Sequence, residues 1–240
     1  MGLLLILAIG LFAGVVSGII GTGSSIMLVP VLAYVYGPKE AVPIMAIAAV
    51  MANVSRILAW WREVDLRAFA AYAVPGVPAA ALGARTMLAL PPHVVDAAMG
   101  MFLLAMIPVR RWMASNLVRL RLIHLAVAGA VIGFLTGIVA ATGPADVPFF
   151  LGYGLTKGAF IGTEAAASLA VYATKVVTFG GSGVLPIEVI IRALVVGASL
   201  MIGAFIAKPF VLRLAPETFR YVMDGLLLLS GVSLLWGAFV

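Results

Sequence analysis

IHLAVAGAVIGFLTGIVAATGPADVPFFLGYGL (residues 123–155) decides how this chain is built. The stretch is apolar at both ends and broken in the middle by Thr142-Gly143-Pro144. Its 33 residues would measure ~50 Å as helix, too short for two full ~30 Å crossings. Arginine and lysine decide whether it crosses or turns back. If it turns back, Arg62, Arg67, Arg110, Arg111, Arg119, Arg121, Lys157, Lys208, Arg213 and Arg220 fall on one side. Only Lys39 and Arg85 then fall on the other, ten against two. If it crosses once, the split is six to six. Cytoplasmic loops collect basic residues, so a re-entrant hairpin of two half-helices, entered from the cytoplasm, is expected. Non-helical backbone at that depth must be buried in protein or face a cavity.

The rest of the chain has the same solvent in view. Of its 240 residues, 64% are hydrophobic and 10% charged, where a soluble domain would have roughly half and a quarter. That excludes a water-soluble globule, a disordered chain and a nucleic-acid binder. The apolar runs are continuous rather than alternating, which excludes a porin-like barrel. The absence of cysteine removes disulfides, thiolate nucleophiles, Fe–S clusters and Cys-rich zinc sites. Met1-Gly2-Leu3 has no basic n-region, so no cleavable signal is expected. Charges and Pro/Gly punctuation divide the chain into segments at 1–37, 41–61, 66–84, 93–109, 123–155, 158–179, 187–207 and 218–240. The first is interrupted at Gly21-Thr22-Gly23, and the third carries Pro75 and Pro78, where a kink is expected.

The second half repeats the first. Gly14-Val15-Val16-Ser17-Gly18 matches Gly133-Phe134-Leu135-Thr136-Gly137 at an offset of 119, which also carries Ser55-Arg56 onto Thr174-Lys175. A one-residue slip carries Pro30 onto Pro148, and Leu82-Gly83-Ala84 matches Ile202-Gly203-Ala204 at an offset of 120. Two units follow, 1–115 and 116–240, each one broken segment and three ordinary spans. A hairpin plus three spans is an odd number of crossings, so the two units have opposite orientation. The expected fold is therefore an all-α polytopic membrane protein with an inverted-topology repeat. Both termini would lie outside the cytoplasm, and the two hairpin tips would meet near the midplane. Residues 1–37 have no Lys or Arg, so only repeat symmetry makes the first segment a hairpin.

The candidate site residues sit at these breaks and beside them. The tip Gly21-Thr22-Gly23-Ser24-Ser25 precedes an apolar half-helix that Thr22, Ser24 or Ser25 can cap. A buried helix N-terminus suits an anion. The second tip is Thr142-Gly143-Pro144-Ala145-Asp146. Pro144 suits the first helical position, which puts Asp146 in the first turn. Its carboxylate either stabilises that turn or carries a proton or ion. Arg56 and Lys175, equivalent by the repeat, either snorkel toward the boundaries or attract an anion from either side. Asn53, Ser55, Ser168, Tyr172 and Thr174 are nearby donors. Glu164 is either a proton site or the partner of a basic side chain. Gly14, Gly18, Gly133 and Gly137 read as close helix packing. Glu63–Arg67 and Glu188–Arg192 read as interfacial i,i+4 pairs. Trp60, Trp61 and Trp112 read as an aromatic belt. His93 and His124 are too few for a metal site, no cofactor is implied, and no G-x-S-x-G, HExxH or P-loop pattern is present.

The pattern Gly18-x-x-Gly21-x-Gly23 followed by Pro30, its looser repeat from Gly137 to Pro148, and Leu82-Gly83-Ala84-Arg85 resemble the TauE/SafE sulfite-exporter family over essentially the whole chain. The resemblance implies a multi-pass permease of the bacterial inner membrane for sulfite, a sulfonate such as sulfoacetate, or a related small organic anion. Ser24-Ser25 stand where that family commonly has Gly-Gly. The leading expectation is a secondary transporter working by alternating access. Its partners would be a small anion, the lipid bilayer and protons as a candidate coupling ion. The rivals are an intramembrane enzyme, for which no catalytic cluster is visible, and a membrane-embedded subunit or scaffold of a larger complex.

Overall fold

The computed structural model describes residues 8–15, 24–115, 119–139, 142–207, 225, 228–229 and 231–236. Among the described residues there is helix and no strand. Residues 8–15 form α1. Then follow α2 (Ser24–Tyr36), α3 (Pro38–Trp60), a 3-10 turn (Trp61–Glu63), α4 (Leu66–Ala89) and α5 (Pro92–Ser115). The second half gives α6 (Leu122–Ile138), α7 (Gly143–Tyr153), α8 (Lys157–Gly181) and α9 (Ile187–Ala207). Residues 231–236 are again helical. Three apolar stretches, Lys39–Glu63, Leu66–Ala89 and Pro92–Val109, are long enough to cross a membrane by length and composition. With α8 and α9 at 25 and 21 residues, this is a multi-pass membrane protein.

Local chemistry sets the helix ends. Gly37 takes φ 81° and Pro38 opens α3, so the chain leaves α2 and starts again within one residue. Asp65 accepts from the backbone N–H groups of Arg67 and Ala68 at 2.9 and 3.0 Å and caps α4. Helix α4 then runs through Pro75 and Pro78 without stopping, and α5 through Pro108 to Ser115, six residues past the apolar segment at 93–109. His124 Nδ1 accepts from the Arg121 N–H at 3.0 Å and closes the start of α6, a capping role. The interruption in residues 123–155 is real. Helix α6 stops at Ile138 and α7 begins at Gly143, one residue earlier than Pro144 would have placed it.

Glycine lets the helices touch backbone to backbone. Gly129 lies on Tyr72, Gly133 on Gly76 and Gly137 on Gly83, so α6 and α4 run side by side in one direction. A methyl group on Gly133 would sit 2.6 Å from the Gly76 carbonyl oxygen, closer than real side chains approach. Gly14 of α1 meets Gly203 of α9 in the same way, and Gly100 of α5 meets Gly231. Glycines 14, 133 and 137 thus do pack, while Gly18 lies outside the described residues.

The neighbours of each end follow from a few contacts. The Leu120 N–H donates to the Gly152 carbonyl at 2.9 Å, which sets the residue before α6 beside the end of α7. Gly158, at the start of α8, packs on Trp60 and Glu63, and the Asp65 N–H donates to Thr163 Oγ1 at 2.8 Å. Helix α3 contacts α8 and α9, and α4 contacts α6 and α8. The starts of α2, α3 and α4 recur in α7, α8 and α9 after 119, 119 and 121 residues (24 to 143, 38 to 157, 66 to 187). The core lies along α3 and α8. Val74, Leu82, Val127, Val131 and Val177 point outward, as a lipid solvent allows.

Candidate functional site

Polar groups from α2, α3, α4, α6, α7 and α8 meet inside this apolar bundle. Arg56 of α3 donates from Nη1 to Glu164 Oε2 of α8 at 2.7 Å, with the carboxylate 1% exposed. Its Nη2 donates to Asn53 one turn back. Asn53 is buried, and Ser168 Oγ donates to the other Glu164 oxygen at 2.8 Å. The Arg56 Nε is buried without an acceptor among the described residues. Arg56 and Glu164 come from opposite halves and are 108 positions apart, so tertiary packing alone brings them together.

Asp146 stands in the first turn of α7 and is 3% exposed. Its Oδ1 accepts a 2.5 Å hydrogen bond from the Tyr72 hydroxyl of α4. The Tyr72 ring packs against Phe150 with centroids 5.3 Å apart, which fixes the hydroxyl over the carboxylate. Asp146 is also within coulombic reach of Glu164 and Arg56. The two carboxylates and the guanidinium therefore form one electrostatic unit. Charges so far from water persist only when paired or hydrogen-bonded.

Tyr172 of α8 links the two breaks. Its hydroxyl lies close to the side chains of Ser25, in the first turn of α2, and of Thr142, the residue that precedes α7. The starts of the two half-helices therefore approach the same phenol. Ser24 is buried at the same start. Gly143 opens α7. Gly21, Thr22 and Gly23 of the first tip lie outside the described residues.

Lys175 is fully buried rather than snorkelling, just under one turn beyond Tyr172 on α8. Its Nζ donates to the Thr136 carbonyl at 2.5 Å and to the Val139 carbonyl at 3.0 Å. Both belong to the end of α6, where carbonyls lose their helical partners. Thr136 Oγ1 in turn shares a 2.6 Å hydrogen bond with Thr142 Oγ1, so the two sides of the break are tied together. Among the described residues no carboxylate pairs with Lys175.

Residues 6–234 match the family described as sulfite exporter TauE/SafE. The chain belongs to that family. No curated protein and no solved structure matches it. Membership makes the chain a membrane transporter protein by kinship, and every polar group above falls within the TauE/SafE match.

Within this TauE/SafE chain, the structure gathers Ser25, Asn53, Arg56, Thr142, Asp146, Glu164 and Tyr172 and sets Lys175 at the neighbouring helix end. Ser55 and Thr174 do not join them. Their hydroxyls donate to Ala52 and Ala170 carbonyls of their own helices, each at 2.8 Å. Sequence reasoning missed Tyr72 and Thr136. Tyr72 is the one tyrosine of an otherwise apolar, alanine-rich span, and a buried phenol needs a partner. That signal was available.

Proposed function

We propose that this protein is a secondary-active transporter that moves a small anion across the bacterial inner membrane by alternating access. Sulfite, a sulfonate such as sulfoacetate, and related small organic anions are the substrate class. The observation that carries the reading is the half-buried Arg56, whose Nε is buried without an acceptor among the described residues. A cation, hydroxyls and helix N-terminal amides at one buried place are a set of donors for an oxyanion. In this reading Gly21, Thr22, Gly23, Ser24, Ser25, Asn53, Arg56, Thr142, Gly143 and Tyr172 face the substrate. Lys175 contributes positive charge from behind the second break. Asp146 and Glu164 are the candidates for proton coupling.

The architecture proposed with it is an inverted repeat of residues 1–115 and 116–240, each a re-entrant hairpin and three spans, with both termini outside. Three facts support it: the Leu120–Gly152 hydrogen bond, the recurrence of helix starts, and the parallel run of α4 with α6. Alternating access then amounts to one set of helices rocking against the other about the shared breaks. Family kinship favours transport over an intramembrane enzyme or scaffold.

The test is a thermal-shift screen of the detergent-purified protein with sulfite, sulfate, sulfoacetate, taurine and simple carboxylates. An anion at 100 times its dissociation constant should stabilise by ~2.7 kcal/mol. The stabilisation should vanish in Arg56→Gln, and the same anion should be taken up by proteoliposomes. Stabilisation of wild type and Arg56→Gln by equal amounts would place the anion elsewhere.

A further inference from the structure

A guanidinium carries five N–H donors. Glu164 occupies Nη1 of Arg56 and Asn53 occupies Nη2, while Nε is left buried and unmatched among the described residues. A buried unmatched donor is costly, and an oxyanion is the ligand that would satisfy it. Charge stands in the way. Arg56 and ionised Glu164 already cancel, and Asp146 is within reach of both. A monoanion added to that set would leave a net negative charge among apolar helices.

We propose that Glu164 is the coupling residue: it takes up one proton for each monoanion that seats on Arg56. This inference rests on the reading of Arg56 as the anion site. The step balances. A proton from bulk water, arriving when the site opens to one side of the membrane, goes to Glu164 Oε2, and the 2.7 Å pair between Nη1 and Oε2 breaks. The anion's oxygens then accept from Arg56 Nη1 and Nε. Ser168 keeps its hold on Oε1, so the neutral carboxyl stays in place. The charge of Arg56 and Glu164 sums to zero before, and with anion and proton aboard it sums to zero again. Transport of a monoanion by this route carries no net charge.

The surroundings of Glu164 fit that assignment. Helix α3 presents Arg56 and Asn53, α4 presents Tyr72 and α7 presents Asp146, while α6 carries no acidic or basic residue apart from His124 at its start. Ser168 and Tyr172 lie on its own helix. Glu63 of the 3-10 turn meets α8 farther along, at Gly158. Arg56 is the cation bonded to Glu164, whereas Asp146 is bonded by the neutral Tyr72 hydroxyl. A proton on Glu164 therefore releases a cation, and a proton on Asp146 releases none.

Methanesulfonate, a monoanion at all accessible pH, is the probe, with sulfite beside it. Calorimetric titration of the full-length protein in buffers of different ionisation enthalpy counts protons taken up per anion bound. Wild type should take up one proton per methanesulfonate at mildly alkaline pH. Its affinity should fall as pH rises, by up to about tenfold per pH unit. Glu164→Gln, a neutral mimic of the protonated form, should bind with no proton uptake and with affinity flat in pH. The wild-type count needs no variant, so it decides the matter even if Glu164→Gln does not fold. Binding to wild type without proton uptake overturns the coupling and leaves the anion site standing. Uptake that persists in Glu164→Gln and vanishes in Asp146→Asn overturns it in favour of Asp146. If neither anion binds wild type, or Arg56→Gln binds as well as wild type, the anion site itself falls.

Discussion

Arg56 and Lys175 stand at the same position counted from the starts of α3 and α8, yet they are held in opposite ways. Arg56 pairs with a side-chain carboxylate from the other half. Lys175 pairs with two main-chain carbonyls where α6 stops. A carboxylate can accept a proton and let its partner go. A peptide carbonyl cannot. On the proposed coupling, the cation is switchable at Arg56 and fixed at Lys175. Two cations that look like a matched pair in the sequence thus have unlike partners, one a side-chain carboxylate and the other main-chain carbonyls.

The largest expected effect breaks the switchable side. Arg56→Met leaves Glu164 buried without its cation, and the cost should be about 3–5 kcal/mol. Arg56→Met with Glu164→Leu removes both charges, and most of that loss should return. The double-mutant cycle should show an interaction of about 1–3 kcal/mol. Unfolding of the purified protein in detergent by heat or SDS reads the difference. If the double variant is as unstable as the sum of the singles, the pair is not the unit described.

The fixed side should respond less, and without rescue. Lys175→Met uncovers the Thr136 and Val139 carbonyls at the end of α6. Two acceptors left bare should cost about 2–4 kcal/mol, partly offset because the ammonium no longer has to be desolvated. Lys175→Gln keeps one donor group and should fall between. The same unfolding assay should rank wild type above Gln above Met. Equal stability of wild type and Lys175→Met would remove the anchor and return Lys175 to the anion.

Much of the helical framework was legible because apolar length and Pro/Gly punctuation act locally. The break at Thr142-Gly143-Pro144 was readable for that reason, and α7 starts within a residue of the expected place. The apolar run at 93–109 matches the span Pro92–Val109, although the helix itself continues past Pro108 to Ser115. Pairing is not local, so it was not readable. Nothing near Arg56 names Glu164 as its partner, and Glu164 stood equally well as a proton site. Tyr72 went unnoticed because its partner Asp146 is 74 residues away on another helix. The difference between Arg56 and Lys175 was invisible for the same reason: the offset of 119 residues matches positions, and it does not report what each side chain meets.

The smallest expected effect sharpens the comparison by removing hydroxyls beside both cations. Ser55 and Thr174 precede Arg56 and Lys175 and are themselves equivalent. Their position suggests donors for the same ligand. The structure turns both back onto their own helices, to the Ala52 and Ala170 carbonyls. Those carbonyls sit inside helices and have main-chain partners already, so losing the hydroxyl strands no acceptor. Such back-bonds add little to a helix and compete with its own ladder. Ser55→Ala and Thr174→Val should each change stability by less than about 0.5 kcal/mol and leave anion affinity as it was. The unfolding and binding assays above measure both. A tenfold loss of affinity in Ser55→Ala alone would mean that this hydroxyl rotates toward the anion. The switchable side would then extend to the residue beside Arg56, and its contrast with the Lys175 side would be sharper than the hydrogen bonds imply.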